Sequence, residues 1–599
     1  MYRLGRFLSF PLLLTLVACG GGSSSNQGGG GNGGPPPPAS PSPFFAQWGF
    51  DPQHDGAVTV AAQQLNRKLA DIVYDPFVGQ EQAESGGGLL AHYPATLTDG
   101  DDFYMEVKSG NYPACNPAGA WINGALCGPN AWNQLNWGVM RYTWESGTAT
   151  LIWTFASDWK PETNGQGLNG WEPVFHPVLA NSFLYVPGAG GTMWKVNKDS
   201  GESESHVNPF QGVNNFDATN RFVSGPLTAD ANGNIFYNVI ELNASAEPWF
   251  GADVRGAWLV KVTPQDAATI TTYNSLVPGA PPANANCPGR FTDPNTLPWP
   301  PDPSAVPAPV TCGSQRPGVN VAPAVAPDGT IYTISRAHFD SLVGYLVAVN
   351  PDLTPKWQAS LQNLLQDGCG VLIPIANAPN SCRPGANVGV DPTTNAFGSG
   401  EVTDDSSSSP VVLPDGSILY GAITRYNQLR GHSLKFDANG NFQSAFDFGW
   451  DSTPAVYHHG NTYSIVIKDN YYDAPGMYCF FPNNAYCQPL PPGPFFLTQL
   501  DPNLNVEWQF QNTTIDNFDP NGYEWCVNAP LVDSNGVVYG NSEDGNIYSL
   551  PQGNSGTFTV PLQNLFLRQA IGAAYTPLSF GPDGKVYAQN DGHLFVIGN

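Results

Sequence analysis

The chain has 599 residues, too many for one ordinary core, so several domains or a repeat array are expected. It holds 66 Gly and 57 Pro, 12% aromatic and only 12% charged residues, a composition that suits many short strands joined by turns and argues against long helices. With 23 basic against 49 acidic residues the net charge is −26, which excludes a phosphate-backbone binder and with it a nucleic-acid partner.

Met1–Cys19 reads MYRLGRFLSFPLLLTLVAC. Arg3 and Arg6 give a positive start, and the apolar run Phe7–Val17 is too short to span a bilayer. Leu16-Val17-Ala18-Cys19 followed by Gly20 resembles a bacterial lipobox, which implies cleavage before Cys19 and lipidation of that residue. The resemblance, with Gly20-Gly21 in place of an acidic retention signal, points to the outer membrane. Residues 20–43 (GGGSSSNQGGGGNGGPPPPASPSP) have almost nothing to bury and read as a disordered tether, flexible in its Gly/Ser part and stiffer in its Pro part. The folded body is expected over 44–599, as a monomer. Beyond the N-terminus no segment reads as a membrane span.

From there one phrase recurs eight times: a small or aromatic residue or His, then Pro, an apolar run, a turn and usually an aromatic strand. Its prolines are Pro94, Pro177, Pro226, Pro323, Pro410, Pro454, Pro530 and Pro577; APAVAPDGTIYTI and SPVVLPDGSILYGA are typical. Where insertions are small the unit is about 45 residues, the period of propeller blades or solenoids. Most units add a third strand, such as YLVAVN at 345–350, and a fourth, such as LTPKWQASL, which makes a four-stranded blade. The DG, NG and HG turns supply the positive φ that tight hairpins need. The last unit stops at Asn599 after about three strands. Gln47–Val60 (QWGFDPQHDGAVTV) has no hairpin of its own and is expected to supply the missing outer strand, closing the ring and removing a free edge.

The WGFDPQHDG opening, the VVYGNSEDGNIYSL hairpins and the VNPDLTPKW strand ends resemble the pyrroloquinoline-quinone-type, quinoprotein-like eight-bladed β-propellers over about 47–599. The expected fold is all-β: an eight-bladed propeller of four-stranded blades. The long insertions 110–137 and 470–494 fall between strands B and C, and 275–320 and 362–409 between one blade's strand D and the next blade's strand A. All four should emerge on one face, where function concentrates on loops held by a rigid scaffold. Eight cysteines fall in these loops as sequence-local pairs: Cys115/Cys127, Cys287/Cys312, Cys369/Cys382 and Cys479/Cys487. An exported chain can close them as disulfides. Cys526, left over, reads as a buried small apolar residue, and no CxxC spacing suggests a metal.

The resemblance raises the prospect of a quinoprotein dehydrogenase with pyrroloquinoline quinone and calcium, oxidising an alcohol or a sugar. The chain lacks the adjacent Cys-Cys pair and the CxxCH haem motif of such enzymes, and only Trp153, Trp357 and Trp508 keep the docking position at strand ends. In three consecutive units strand B ends in a cation, Arg336, Arg425 and Lys468, which could clamp a carboxylate ligand; other units place Lys108, Glu241 and Glu543 there. In GSGEVTDDSSSSP, Asp404 and Asp405 are the candidates for a catalytic base, with Glu401 nearby. DANGN, at 230–234 and 437–441, lacks the later Glu of a calcium loop and reads as a hairpin turn. His458-His459 falls on the opposite face. The sequence favours a binding scaffold, anchored through Cys19 and meeting an envelope protein or a glycan with its loop face; the resembled superfamily includes an outer-membrane assembly scaffold. The dehydrogenase is the alternative.

Overall fold

The computed structural model describes residues 22–23 and 43–599, apart from 85–93, 113–133, 162–173, 213–219, 244–250, 292–301, 369–386, 392, 399, 405, 425–426, 428–429, 472–492, 516–521, 526 and 569–576. It is an eight-bladed antiparallel β-propeller. Strands A–D of blade 1 are Leu97–Asp99, Asp102–Gly110, Leu135–Glu145 and Thr148–Ala156. The same order repeats in sequence down to blade 7, whose strands are Leu531–Val532, Val538–Asn541, Asn546–Leu550 and Gln563–Phe566. Among the described residues no helix is long and apolar enough to cross a membrane.

Strand position explains the residues. Strand B is covered on both sides, so it is apolar without alternation: in blade 6, Ile465 and Ile467 pack with Val411, Leu419 and Trp450 of blade 5, while Val466 packs with Trp525 and Val527 beside blade 7. Strand D is outermost and alternates, as in Gln563–Phe566 of blade 7. The A–B turns are built on positive-φ residues, Asn181 in blade 2 and a Gly after Asp, Asn or His in the others. In blade 5 Gly416 takes φ +78°, and the Asp415 carboxylate accepts the Ser417 amide at 2.9 Å.

Neighbouring blades are locked by the three tryptophans of the strand-end motif. Trp153, Trp357 and Trp508, each on a strand D, lie against Gly201, Gly440 and Gly553 of the next blade's C–D turn. A Cβ on any of these glycines would come within 2.7 Å of the indole. Trp357 Nε1 also donates to Ala438 O at 3.0 Å.

The N-terminal stretch departs from expectation. Blade 8 consists of Leu578–Phe580, Val586–Asn590 and His593–Gly598, and its fourth strand is Arg67–Val73, paired antiparallel with His593–Gly598. Gln47–Val60 supplies no outer strand. It runs around the inside of the ring, where the final residues of the strands A leave their amides unpaired. Phe45 exchanges backbone hydrogen bonds with Thr98, Ala46 accepts from Leu179, and Pro52, Gln53 and Asp55 accept from Val325, Val412 and Val456. Gly56 and Val58 bond Val532, and Gln63 donates to Gly584. The Gln47 side chain covers blade 3 through the amide and carbonyl of Ala229. One segment thus touches all eight blades, because backbone amides and carbonyls of the inner strands and turns must find partners. Phe45, Trp48, Phe50 and His54 are buried within it.

Candidate functional site

The long insertions leave the ring where the sequence places them. Strand B ends at Gly110 in blade 1 and at Asn470 in blade 6; strand D ends at Thr272 in blade 3 and at Ser360 in blade 4. Cys287 and Cys312 form a disulfide with Cα atoms 5.1 Å apart. Cys19, Cys115, Cys127, Cys369, Cys382, Cys479, Cys487 and Cys526 lie outside the described residues, as do Arg425 and Asp405.

Arg336 ends strand B of blade 4, and Asp404 belongs to the connection from blade 4 to blade 5. The structure brings them together at 3.2 Å and adds Arg316, whose two terminal nitrogens each lie 2.6 Å from one Asp404 oxygen. Arg316 is fully buried. Burial alone would raise the Asp404 carboxyl, but the two guanidiniums outweigh it and hold it well below the usual carboxylate range. Burial lowers Arg336 to about 10 despite Asp404, and its remaining donors reach the carbonyls of Val402, Ala337 and His338. His338 takes the Arg316 Nε donor on Nδ1 at 3.0 Å and meets Ala252 O through Nε2 at 3.0 Å, which is the pattern of the neutral ring. Burial, then the two arginines, push it down to about 3. Glu401 meets Arg290 of the disulfide loop and accepts from Ser341 at 3.1 Å. The cation expected to clamp a ligand and the carboxylate expected to act as base therefore neutralise one another.

The same device recurs around this face. Lys108, at the end of strand B of blade 1, meets Asp75 at 2.8 Å with both side chains buried. Glu241, at the end of strand B of blade 3, meets Arg221, its register partner on the short strand Arg221–Val223. In blade 6, Asp469 meets Arg430 at 2.5 Å, and the guanidinium lies 3.7 Å above the Tyr471 ring. Charged ends of strands B hold connecting loops against the ring. Lys468, next to Asp469, points the other way along the pleat. It is 1% exposed, and its ammonium finds no hydrogen-bond partner among the described residues.

Sequence reasoning missed Arg430 and Asp75, which lie in connections, and Arg221 and Arg316, which lie on the short strands Arg221–Val223 and Gln315–Pro317 paired with the ends of strands B; a lone cation in a chain with 23 basic residues was the available signal. It also missed a second cluster on this face, Asp367, His432 and Asp447. Both DANGN turns close on themselves: the Asp230 and Asp437 carboxylates accept the amides of Asn232 and Asn234, and of Asn439 and Asn441. His458, at the other rim, meets Asp55 of the inner segment at 3.0 Å.

No protein-family model and no curated protein sequence matches the chain. Solved structures do. A europium-containing methanol dehydrogenase is 9% identical with a TM-score of 0.47, over 91% of this chain and 89% of that one. The quinohemoprotein alcohol dehydrogenase of Comamonas testosteroni is 12% identical with a TM-score of 0.47, over 93% and 81%. BamB of Moraxella catarrhalis is 10% identical with a TM-score of 0.34, over 77% and 91%. The structural neighbours of this eight-bladed propeller thus include quinoprotein alcohol dehydrogenases and BamB.

Proposed function

We propose that the chain is a binding scaffold of the bacterial envelope, a propeller that presents its loop-bearing face to a protein or glycan partner. Signal peptide 1–19, lipidation at Cys19 and tether 20–43 would hold the 44–599 body, as a monomer, at the outer membrane. One observation carries the reading: Arg336 and Asp404, the described candidates for clamp and base, are spent on holding a loop against the ring. Asp404 sits between two guanidiniums, and a carboxylate so stabilised is a poor base at neutral pH. A face whose loops are pinned by buried ion pairs and a disulfide is pre-organised for contact.

Pyrroloquinoline quinone with calcium, the alternative, does not fit the described residues. Arg336 already donates to Asp404 and to the carbonyls of Ala337, Val402 and His338, and Asp404 is engaged by Arg316 and Arg336. Lys468 favours that alternative, since a buried ammonium without a hydrogen-bond partner among the described residues suits a carboxylate ligand.

The test has two arms. The first titrates the soluble body with the quinone and Ca²⁺ and follows dye-linked oxidation of alcohols and sugars. No saturable binding at micromolar quinone is expected; binding with turnover overturns the scaffold reading. The second places a photo-crosslinker in intact envelopes at Val306 and Val388, exposed in the two long D–A insertions, and at Asp328 on the opposite rim. Adducts confined to the first two positions support the reading, and adducts only at Asp328 sink it.

A further inference from the structure

His432 begins strand C of blade 5, and Asp447 directly follows strand D, which ends at Phe446. Ser433 and Phe446 are register partners, so the sheet itself sets His432 and Asp447 side by side. Asp367 comes from the connection that leaves blade 4. The three side chains offer one imidazole nitrogen and two carboxylate oxygens, all within 4.8 Å of one another.

Both carboxylates aim at the same atom. Asp367 Oδ2 lies 2.6 Å and Asp447 Oδ1 2.9 Å from His432 Nε2. An imidazole nitrogen carries at most one hydrogen, and that hydrogen can point along only one of the two lines. Three donors directed at a common centre satisfy one another fully around a cation. The histidine is buried, with 2% of its side chain exposed, while the carboxylates keep 24% and 33%. The cluster therefore opens on one side, into a groove of about 430 Å³ lined by Leu365, Gln366, Phe442, Ser444 and Phe446.

We propose that Asp367, His432 and Asp447 bind a divalent transition ion of the zinc class, with a further coordination position open to the groove. One imidazole and two carboxylates match zinc, cobalt or manganese. The absence of thiolate from the set argues against copper(I), and the imidazole against calcium or magnesium. Zinc–ligand bonds of about 2.0–2.1 Å place tetrahedral donors about 3.4 Å apart. The carboxylates must withdraw from Nε2 by roughly 0.5 to 0.8 Å, which partly exposed Asp side chains on a groove wall can do by small rotations. Coordination uses the Nε2 lone pair of the neutral ring with its hydrogen on Nδ1, so an imidazolium must release its Nε2 proton to bind the ion. The ion would tie the start of the blade 4–5 connection to strands C and D of blade 5. Three protein ligands and an open fourth position would let a water or a partner's side chain complete the shell. The proposal stands apart from the scaffold reading, since it needs no partner.

The experiment uses the untagged full chain with Co²⁺ as a visible-absorbing probe, Zn²⁺ as competitor, and the variants His432→Gln and Asp447→Asn. One Co²⁺ band of 1:1 stoichiometry, displaced by Zn²⁺ and weakened at least tenfold in affinity by either variant, is expected. Absence of a band at micromolar ion, or equal affinity in wild type and both variants, overturns the proposal. Circular dichroism accompanies each variant. Should His432→Gln fail to fold, Asp447→Asn decides alone, because its change lies at the groove wall and keeps the side-chain shape.

Discussion

The two ends of the ring are held by different means. At the rim of the A–B turns one stretch of backbone, residues 45–63, hydrogen-bonds to the inner strands in succession. At the loop-bearing rim the ties are separate pairs of charges: Lys108–Asp75, Arg316–Asp404 and Arg430–Asp469 each join a connection to a blade, and Arg221–Glu241 joins the short strand Arg221–Val223 to strand B. The first tie is continuous and made chiefly of backbone hydrogen bonds, so it fails as a unit. The second is divided, so each pair can be broken alone, leaving its partner charge buried.

Removal of 44–58 gives the sharpest contrast. It leaves Arg67–Val73 able to pair with blade 8 but strips seven blades of acceptors or cover for their inner strands. The expected outcome is loss of soluble folded protein, read by yield and circular dichroism. A folded, cooperative product would show the inner segment to be an ornament of the ring.

pH separates the ends next. His54, in the inner segment, and His176, packed edge-on against Trp48 of that segment, are pushed down to about 4 and about 3, chiefly by burial; the carbonyls of Pro410 and Pro177 oppose it only in part. Above pH 6.5 neither the folded nor the unfolded chain protonates them, and their full stability is present. As pH falls below 6.5 the unfolded chain takes up protons that the folded chain refuses, and stability declines until about pH 4 for His54 and 3 for His176. Each would cost on the order of 3 kcal/mol or more. His338 adds to this limb from the loop-bearing rim. Asp404 acts only lower: its depressed carboxyl contributes stability that is lost as pH falls beneath the ordinary carboxylate range. Urea midpoints between pH 7 and 4 test this, and His54→Gln should shorten the decline.

Arg316→Ala comes third. It leaves the Asp404 carboxylate buried with one guanidinium instead of two, a change that typically costs about 3–5 kcal/mol. Replacing Arg316, Arg336 and Asp404 together by apolar residues of similar volume should cost much less. If the triple variant is as unstable as the single one, the cluster does more than neutralise itself. Fourth, Trp357→Ala empties the dock on Gly440 and should lower stability by about 2–4 kcal/mol, while Gly440→Val should do similar harm by collision.

These contrasts follow what could be read along the chain. The repeat was legible because every blade buries the same faces: Pro323 and Pro410 start equivalent inner strands, and Gly416 must adopt a positive φ whatever its neighbours. The cations Arg336 and Lys468 were legible as positions at strand ends. Their chemistry was not, since Arg316 and Asp404 are 88 residues apart and meet only through the ring. Nor was the path of 47–60, whose partners are backbone amides that leave no mark on side-chain identity. His432 was hidden for the same reason as Asp404: its carboxylates lie 65 residues upstream, in Asp367, and across a hairpin, in Asp447.

The smallest effect tests whether burial, rather than charge pairing itself, sets these magnitudes. Lys356 and Asp328 pair at 3.3 Å near the A–B rim, with side chains 35% and 63% exposed. The Asp328 carboxylate also accepts the Thr330 amide at 2.9 Å, and Asn keeps that acceptor. Asp328→Asn therefore removes the ion pair and spares the turn. Water screens both charges, so the change should stay within about 0.5 kcal/mol and fade further as salt shortens the Debye length. Lys108→Ala, which removes half of a pair with side chains 1% and 0% exposed, should cost several times more and vary little with salt. Equal costs for the two would mean that the loop-bearing rim is held by something other than its buried pairs.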